Sequence, residues 1–301
     1  MKIGIIGGGA IGLLLAAYYG EQHYVTVYCK RREQAAKIES KGIQLVHSEI
    51  GRIIPVSGKN EDKTLPLQDL IIIAVKQHQL ESILPDLFAL PLHKPLLFIQ
   101  NGMGHIPLLK TLAQRTIYVG TIEHGAVKVD DRIVSHNGIG KMNIAIFRGE
   151  SNDILEFPIL ENKLFPITIK DDFLEMLEAK LIANAVINPL TTLFCVKNGE
   201  LISNPAYHQV FLQLYDEVVK CFPRWNNQYI DVITNICVTT SKNTSSMLKD
   251  MTEGRKTEID AILGYVIEIA DSKGVDIPVV QFVYQAIVGM EFERGIRTLW
   301  S

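Results

Sequence analysis

The chain has 301 residues, of which 47% are hydrophobic and 21% are charged, and its formal net charge at pH 7 is −3. These values are typical of a globular protein, and the interspersed charges argue against a general surface for nucleic acid or an anionic membrane. No uninterrupted apolar segment is long enough to span a bilayer. The four cysteines form no Cys-x-x-Cys pair, which argues against a disulfide framework or a metal site and favours a reducing, cytoplasmic setting.

The N-terminus combines an apolar run, a glycine-rich turn and the start of an apolar helix. Residues 3–6 predict a buried strand and residues 13–17 predict a helix, with Gly7, Gly9 and Gly12 between them in Gly-x-Gly-x-x-Gly order. In a dinucleotide-binding turn the first glycine allows the tight turn, the second allows the backbone to approach the pyrophosphate, and the third allows the helix to pack closely on the strand. The helix N-terminus would offer N–H groups and a positive dipole to the pyrophosphate.

A secretory signal peptide is the alternative interpretation of this stretch, because Lys2 precedes a long apolar run. Clustered glycines would weaken the helix of a signal peptide, and Glu21 and His23 offer no small-residue cleavage site. Residues 24–28 then continue directly as a second strand. These features favour the dinucleotide-binding turn.

The end of the second strand, Val25–Tyr28, indicates which dinucleotide is preferred. An NAD-specific fold usually places an acidic residue here to accept hydrogen bonds from the ribose 2′-hydroxyl. This chain has none and continues with Lys30, Arg31 and Arg32, which suit a 2′-phosphate. The sequence therefore predicts NADPH, with a solvated basic turn as the alternative.

Two further buried strands end in polar residues. Residues 70–75 form a continuous apolar run that ends at Lys76, and residues 95–100 form another that ends at Asn101 in an Asn-Gly-Met-Gly turn. Ligands of open α/β sheets collect outside the carboxyl ends of the strands, so both residues are candidates for a site. The pattern also predicts a helix over 33–40, paired strands over 42–58, a strand over 117–120 and a hairpin over 132–147.

Helical periodicity dominates the second half of the chain, and we predict a domain boundary near residues 168–172. The sequence contains no internal repeat and no low-complexity segment. The predicted helices are Phe173–Thr192, Pro205–Cys221, Tyr229–Thr240, Thr257–Lys273 and Val279–Gly295.

The most informative helix carries Lys180, Asn184 and Asn188 at spacings of four residues, which places them on one face. Their neighbours are apolar, so the stripe is not simply a solvent-exposed face. Unpartnered burial of an ammonium and two amides would cost several kcal/mol, roughly, so they are expected to face one another, water or a ligand. The alternative is a hydrogen-bonded seam between helices.

Other polar residues carry less information by themselves. Glu258 stands at the start of a predicted helix, where an acidic side chain is an ordinary partner of the helix dipole. His124 and the other histidines lack the spacing of metal ligands, so the sequence predicts no metal site.

Taken in order, several motifs resemble those of the ketopantoate reductases (2-dehydropantoate 2-reductases). They are GGGAIG near the N-terminus, Lys76 after a buried strand, QNGMG at 100–104, KLIANAVINPLT at 180–191, NGEL at 198–201, SSMLKD at 245–250 and KTEID at 256–260. The resemblance extends over nearly the whole chain. One departure is Leu177, where the family often has tryptophan, and it affects the packing of the helix more than the chemistry.

The resemblance implies an α/β N-terminal Rossmann domain over residues 1–170, with a mostly parallel, doubly wound sheet, followed by an all-α domain over 171–301 and a site in the cleft between them. It implies reduction of 2-dehydropantoate to pantoate by NADPH, on the route to pantothenate and coenzyme A. The expected partner is a small keto acid, with no nucleic acid or membrane, and a homodimer is compatible with the sequence.

The residue roles that follow are implied by the resemblance, position by position. Lys180 matches the family's proton donor, and Glu258 matches an acidic partner in the cleft. The expected substrate contacts are Asn101, Lys180, Asn184, Asn188, Asn198 and Ser246. The expected cofactor contacts are Gly7, Gly8, Gly9, Ala10, Ile11, Gly12, Arg31, Lys76, Asn101 and Ala126.

Two other functions remain open. The first is a related NADPH-dependent reductase of another 2-keto acid, since a fold does not specify a substrate. The second is a dinucleotide-binding regulator without turnover. The presence of Lys180, Glu258 and both helix asparagines favours an enzyme, because a regulator needs only the nucleotide-binding half.

Overall fold

A computed structural model describes residues 1–61, 63–225 and 229–298. The chain divides into two units: unit 1 contains Met1–Gln100 and Ile106–Met176, and unit 2 contains Asn101–His105 and Leu177–Ser301. Within the described residues, none of the helices combines the length and the apolar character needed to cross a bilayer.

Unit 1 is built on two sheets. Its helices are α1 (Ala10–Gly20), α2 (Arg32–Lys41), α3 (Leu80–Phe88) and α4 (Ile106–Thr111), and the long helix α5 (Phe173–Phe194) begins here. Its strands are β1 (Lys2–Ile6), β2 (Tyr24–Tyr28), β3 (Ile43–His47), β4 (Ile50–Ile54), β5 (Ser57–Lys59), β6 (Leu70–Ile73), β7 (Leu96–Phe98), β8 (Ile117–Ile122), β9 (Gly125–Asp130), β10 (Ile133–Gly138), β11 (Met142–Arg148) and β12 (Ile167–Ile169).

The larger sheet has the order β12-β11-β8-β7-β6-β1-β2-β5, and only the β8–β11 pair is antiparallel among its described pairings. The central strands β1 and β6 are buried apolar runs, as expected for parallel strands covered on both faces. The predicted mostly parallel α/β fold is therefore confirmed. Because parallel strands end at the same edge, β1, β2, β6 and β7 bring their following loops to one side of the sheet.

The smaller sheet has the order β4-β3-β10-β9, and it corrects the predicted hairpin over residues 132–147. The actual hairpin joins β9 to β10, whereas β11 pairs with β8 in the larger sheet. Met142 and Ile144 of β11 are fully buried in the core of that sheet. The burial of β11 in the larger sheet thus decides which strand it pairs with. The glycines between β10 and β11 carry no information about that partner strand.

Three histidines cluster beside the smaller sheet: His124 and His136 are buried, and His47 is half-buried. The backbone N–H of Gly140 donates to His124 Nδ1 (3.1 Å), so that nitrogen is an acceptor and the neutral ring carries its proton on Nε2. His136 Nε2 lies 3.1 Å from His124 Nδ1 and 3.0 Å from the carbonyl oxygen of Gly138, so it is a donor, and Tyr18 donates to His136 Nδ1 (2.7 Å). His47 Nδ1 contacts the carbonyl oxygen of His136 at 2.9 Å.

This histidine cluster leads to a prediction for stability in acid. Burial, followed by the proximity of His136, lowers the pKa of His124 from 6.5 to about 4, and burial also lowers the pKa of His136. As the pH falls from 6.5 towards 4, the unfolded chain takes up protons that the folded chain does not bind, so the free energy of unfolding decreases. We expect a loss of about 1–3 kcal/mol between pH 7 and pH 5.

Urea denaturation at the two pH values measures this loss. His124→Gln keeps an acceptor for Gly140 and removes the titrating group, so it should lose less stability on acidification than the unmodified protein. His93→Gln, which changes an exposed histidine, should lose as much as the unmodified protein. An equal loss of stability in all three proteins would show that the buried histidine cluster is not the cause of the acid sensitivity.

Unit 2 is helical in its described residues. Asn204 begins α7 by accepting hydrogen bonds from the N–H groups of Ala206 and Tyr207, with Pro205 in the first turn. Besides most of α5, its helices are α6 (Glu200–Ser203), α7 (Pro205–Lys220), α8 (Tyr229–Thr239), α9 (Ser246–Thr252), a π-helical turn (Asp260–Gly264), α10 (Tyr265–Lys273) and α11 (Pro278–Glu293).

The helix predicted to begin at Thr257 begins about three residues later. The backbone N–H and the hydroxyl of Thr257 both donate to Glu291 Oε1, at 2.8 and 2.6 Å. Arg297 Nε donates to the other oxygen of Glu291 at 2.8 Å, and its guanidinium also binds both carboxylate oxygens of Asp260. These bonds hold residues 256–258 outside the helix, a long-range effect that local sequence does not encode.

Candidate active site

The glycine-rich turn lies between β1 and α1. Gly7 has a φ of +119°, which is favourable for glycine and strained for other residues. A Cβ atom on Gly12 would lie 1.9 Å from the carbonyl oxygen of Gly7, so the helix can approach the turn this closely only without a side chain. A Cβ atom on Gly9 would meet no atom within 4 Å. The turn is therefore tight on its protein side and open beside Gly9.

The N-terminus of α1 fits a pyrophosphate. Gly9 precedes the helix and provides no side-chain cap, and the first turn carries no acidic residue. The first four N–H groups of a helix have no partner within the helix, so they can donate to an anion. Open space beside Gly9 and uncapped donors after it are the features that a dinucleotide requires of such a loop, which spans Gly7–Gly12 here.

The loops after β6 and β7 are fixed by one buried amide. Gln100 donates from Nε2 to the carbonyl oxygens of Ile73 and Val75, at 2.8 and 2.9 Å. These bonds connect the end of β7 to the end of β6 immediately before Lys76. The backbone N–H of Lys76 in turn donates to Gln79 Oε1 at 3.1 Å. Lys76 is therefore held at the carboxyl edge of the sheet, as predicted from the strand pattern.

Arg31 follows β2 and pairs with Asp131, which lies in the turn between β9 and β10. Sequence reasoning identified Arg31 but missed this carboxylate, because the two residues are a hundred positions apart. Gln34 Nε2 connects the same region to the glycine-rich turn by donating to the carbonyl oxygens of Gly8 and Asp131, each at 2.8 Å.

Ala126 lies on β9, where it pairs with His136 of β10.

In unit 2, α5 carries the predicted polar stripe. Lys180 and Asn184 are half-buried and Asn188 is 7% exposed, whereas residues 181–183 and 185–187 are buried apolar side chains. The stripe is thus not a solvent-exposed face, as the sequence indicated. Helix geometry places the three polar groups on one side, where an ammonium and two amides can bind an oxygen-rich ligand.

The segment carrying Ser246 is attached to the same helix. Thr191 Oγ1, one turn after Asn188, donates to the buried Ser245 Oγ at 2.7 Å. Ser245 is also the N-cap of α9 and accepts from the N–H of Leu248 at 3.2 Å. Ser246 is exposed at the first position of α9. The hydrogen bond between Thr191 and Ser245, which sequence analysis did not anticipate, holds the start of α9 against the end of the α5 stripe.

Glu258 and Asn101 contact each other within unit 2. Asn101 Nδ2 donates to Glu258 Oε2 at 2.8 Å, although 157 positions separate the two residues. The N–H of Met103 donates to the carbonyl oxygen of Ala261 in the π-helical turn at 3.3 Å. Such turns are frequent at functional sites. The hydrogen bond from Asn101 to Glu258 joins two residues that sequence analysis identified separately.

Asn198 is buried, and its Nδ2 donates to Thr240 Oγ1 at 2.9 Å. Its Oδ1 has no hydrogen-bond partner among the described residues. The amide therefore supports the loop before α6 and also retains an acceptor. Its role in substrate binding stays a prediction.

A mostly parallel α/β sheet with an uncapped glycine-rich turn, followed by a helical unit with a polar stripe, is typical of dinucleotide-binding oxidoreductases. The family profile "Ketopantoate reductase PanE/ApbA" matches residues 3–149, and "Ketopantoate reductase PanE/ApbA C terminal" matches residues 172–291. The chain belongs to the ketopantoate reductase family.

Relatives with curated names support this membership over nearly the full length. The 2-dehydropantoate 2-reductase of Listeria innocua is 39% identical over 299 residues, covering 98% of this chain and 99% of the relative. That of Bacillus subtilis is 40% identical over 294 residues, covering 97% and 98%. The crystal structure of the probable 2-dehydropantoate 2-reductase panE from Bacillus subtilis matches with a TM-score of 0.85 at 40% identity, covering 97% of this chain and all of that one.

Proposed function

We propose that this protein reduces 2-dehydropantoate to pantoate with NADPH. The observation that carries the proposal is the arrangement of Lys180, Asn184 and Asn188 on the mostly buried helix α5, in a chain 39% and 40% identical to proteins named 2-dehydropantoate 2-reductase. An ordinary dinucleotide-binding unit has no need of an ammonium and two amides in apolar surroundings.

The residues of unit 1 fit the cofactor. The open side of Gly9 and the N–H groups of α1 would hold the pyrophosphate, and Arg31 would bind the 2′-phosphate. Lys76 and Ala126 are the further cofactor contacts that we propose in this unit. Bound NADPH supplies a hydride for the ketone carbon.

The residues of unit 2 would handle the charge and the proton. Hydride addition leaves negative charge on the former carbonyl oxygen, and the ammonium of Lys180 can stabilise that charge and donate the proton. Asn184, Asn188, Asn198 and Ser246 would bind the substrate's carboxylate and hydroxyl groups.

Glu258 and Asn101 would act as a pair in the same unit. Because Asn101 donates to Glu258 Oε2, the carboxylate is held in one orientation, in which it would interact with a substrate hydroxyl. Asn101 would in this way position Glu258 as well as contact the ligands.

Oxidation of NADPH in the presence of 2-dehydropantoate tests the proposal, with NADH as the parallel cofactor. We expect turnover with a preference for NADPH. If a different 2-keto acid in a substrate panel is turned over faster, that acid replaces 2-dehydropantoate as the proposed substrate. Tight NADPH binding without any turnover would favour a regulator. Sedimentation of the same preparation tests whether the chain forms a homodimer.

A further inference from the structure

Three cations converge on one carboxylate beside the glycine-rich turn. Asp131 pairs with Arg31, lies 2.9 Å from Lys37 Nζ through Oδ2, and lies 3.7 Å from Lys128 Nζ through Oδ1. The Asp131 side chain is 11% exposed, and that of Lys128 is 29% exposed. Asp130, the last residue of β9, is exposed and lies 3.8 Å from Lys37 Nζ. The cations outnumber the carboxylates.

This cluster adjoins the position where the adenosine ribose binds in a dinucleotide fold. Arg31 follows β2, whose end carries the residue that distinguishes a 2′-hydroxyl from a 2′-phosphate. Lys128 Nζ donates to the carbonyl oxygen of Gly8 at 3.0 Å, and Gln34 joins Gly8 to Asp131. The cluster is therefore attached to the turn that would hold the pyrophosphate.

We propose that Asp131 is the internal counter-ion of the 2′-phosphate site, and that it limits the preference for NADPH by competing with the phosphate for Arg31, Lys37 and Lys128. This inference rests on the proposed use of NADPH. A phosphate monoester carries a charge near −2 and accepts from the same Arg and Lys donors that the carboxylate now occupies. Binding would transfer the hydrogen bonds of Arg31 and Lys37, and the ion pair of Lys128, from Asp131 to the phosphate.

The same carboxylate affects NADH in the opposite direction. A ribose 2′-hydroxyl can donate to Asp131, whereas a 2′-phosphate is repelled by it. Hydrogen bonds from Lys37 and Arg31 lower the pKa of Asp131, so it carries its charge at neutral pH. Asp131 thus supplies, from the turn between β9 and β10, the carboxylate that is missing from the end of β2.

Asp131→Asn tests the inference by direct binding of NADPH and NADH, measured by calorimetry. We expect the ratio of the NADH to the NADPH dissociation constant to rise by about threefold to thirtyfold, because a repelling charge is removed. Lys128→Met should lower the same ratio by roughly fivefold to fiftyfold, since a donor to the phosphate is lost. An unchanged ratio in either variant, or a shift in the opposite direction, would overturn the inference.

Asp130→Asn is the matched control, because it removes the same charge from the neighbouring position of the chain. It should change the ratio less than Asp131→Asn does, and an equal change would overturn the inference in favour of a general field effect. Asp131→Ser carries the same expectation if the asparagine variant does not fold. Absence of NADPH turnover in the unmodified protein would count against the proposed function, whereas preferential NADPH binding that is insensitive to Asp131 would count against this inference alone.

Discussion

Replacing Lys180 by alanine is expected to reduce kcat for NADPH-dependent reduction of 2-dehydropantoate by about 10³-fold or more, because the role proposed for this side chain is to supply both charge stabilisation and the proton. The dissociation constant for NADPH should change by less than about threefold, since the proposed dinucleotide contacts of unit 1 are unaltered. Stopped-flow or steady-state oxidation of NADPH measures the first quantity, and calorimetric titration measures the second.

Lys220→Ala is the control for this experiment, because it removes an exposed lysine from another helix of unit 2. Its kcat should equal that of the unmodified protein. A small primary ammonium such as methylammonium should partly restore turnover in Lys180→Ala, which loss of helix packing would not allow. Full activity of Lys180→Ala without added amine would refute the proposed role.

Gly12→Ala is expected to weaken dinucleotide binding by more than about tenfold and to lower the free energy of unfolding by roughly 2–4 kcal/mol. The added Cβ atom would lie 1.9 Å from the carbonyl oxygen of Gly7 and 3.0 Å from its carbonyl carbon. Both are backbone atoms, so relief requires the turn and the start of α1 to separate. Calorimetry with NADPH and urea denaturation measure the two effects.

Gly9→Ala separates binding from stability at the same turn. Gly9 has φ −79° and ψ −175°, which alanine adopts readily, and its Cβ atom would meet no protein atom within 4 Å. We expect the free energy of unfolding to stay within about 1 kcal/mol of the original value while NADPH binding weakens, because the methyl group enters the space left for the pyrophosphate. Equal NADPH affinity in Gly9→Ala and the unmodified protein would argue against pyrophosphate binding beside Gly9.

Local sequence patterns were sufficient to predict most helices and strands and the chemical types of the candidate site residues. The buried strands β1 and β6, the helix α2 and the long helix α5 follow from hydrophobic runs and periodicity, and the structure confirms them. The stripe on α5 was predictable because helical spacing alone places residues four positions apart on one face.

Contacts between distant parts of the chain could not be predicted in the same way. The pairing of β11 with β8, the bond from Asn101 to Glu258 and the bond from Thr191 to Ser245 each depend on the folded topology. Asp131 illustrates the limit most clearly: in the sequence it is one of two acids in a turn, and only the β9–β10 hairpin places it beside Arg31.

The assignment of residues 101–105 to unit 2 has a consequence for how this family can be recombined. Unit 2 is encoded by two separate stretches of the gene, since these five residues are flanked on both sides by residues of unit 1. They supply the donor to Glu258 and the backbone bond to Ala261. A chimera that exchanges only the region after residue 176 would therefore combine a foreign partner segment with the original Asn101, so grafts of unit 2 need to transfer both stretches together.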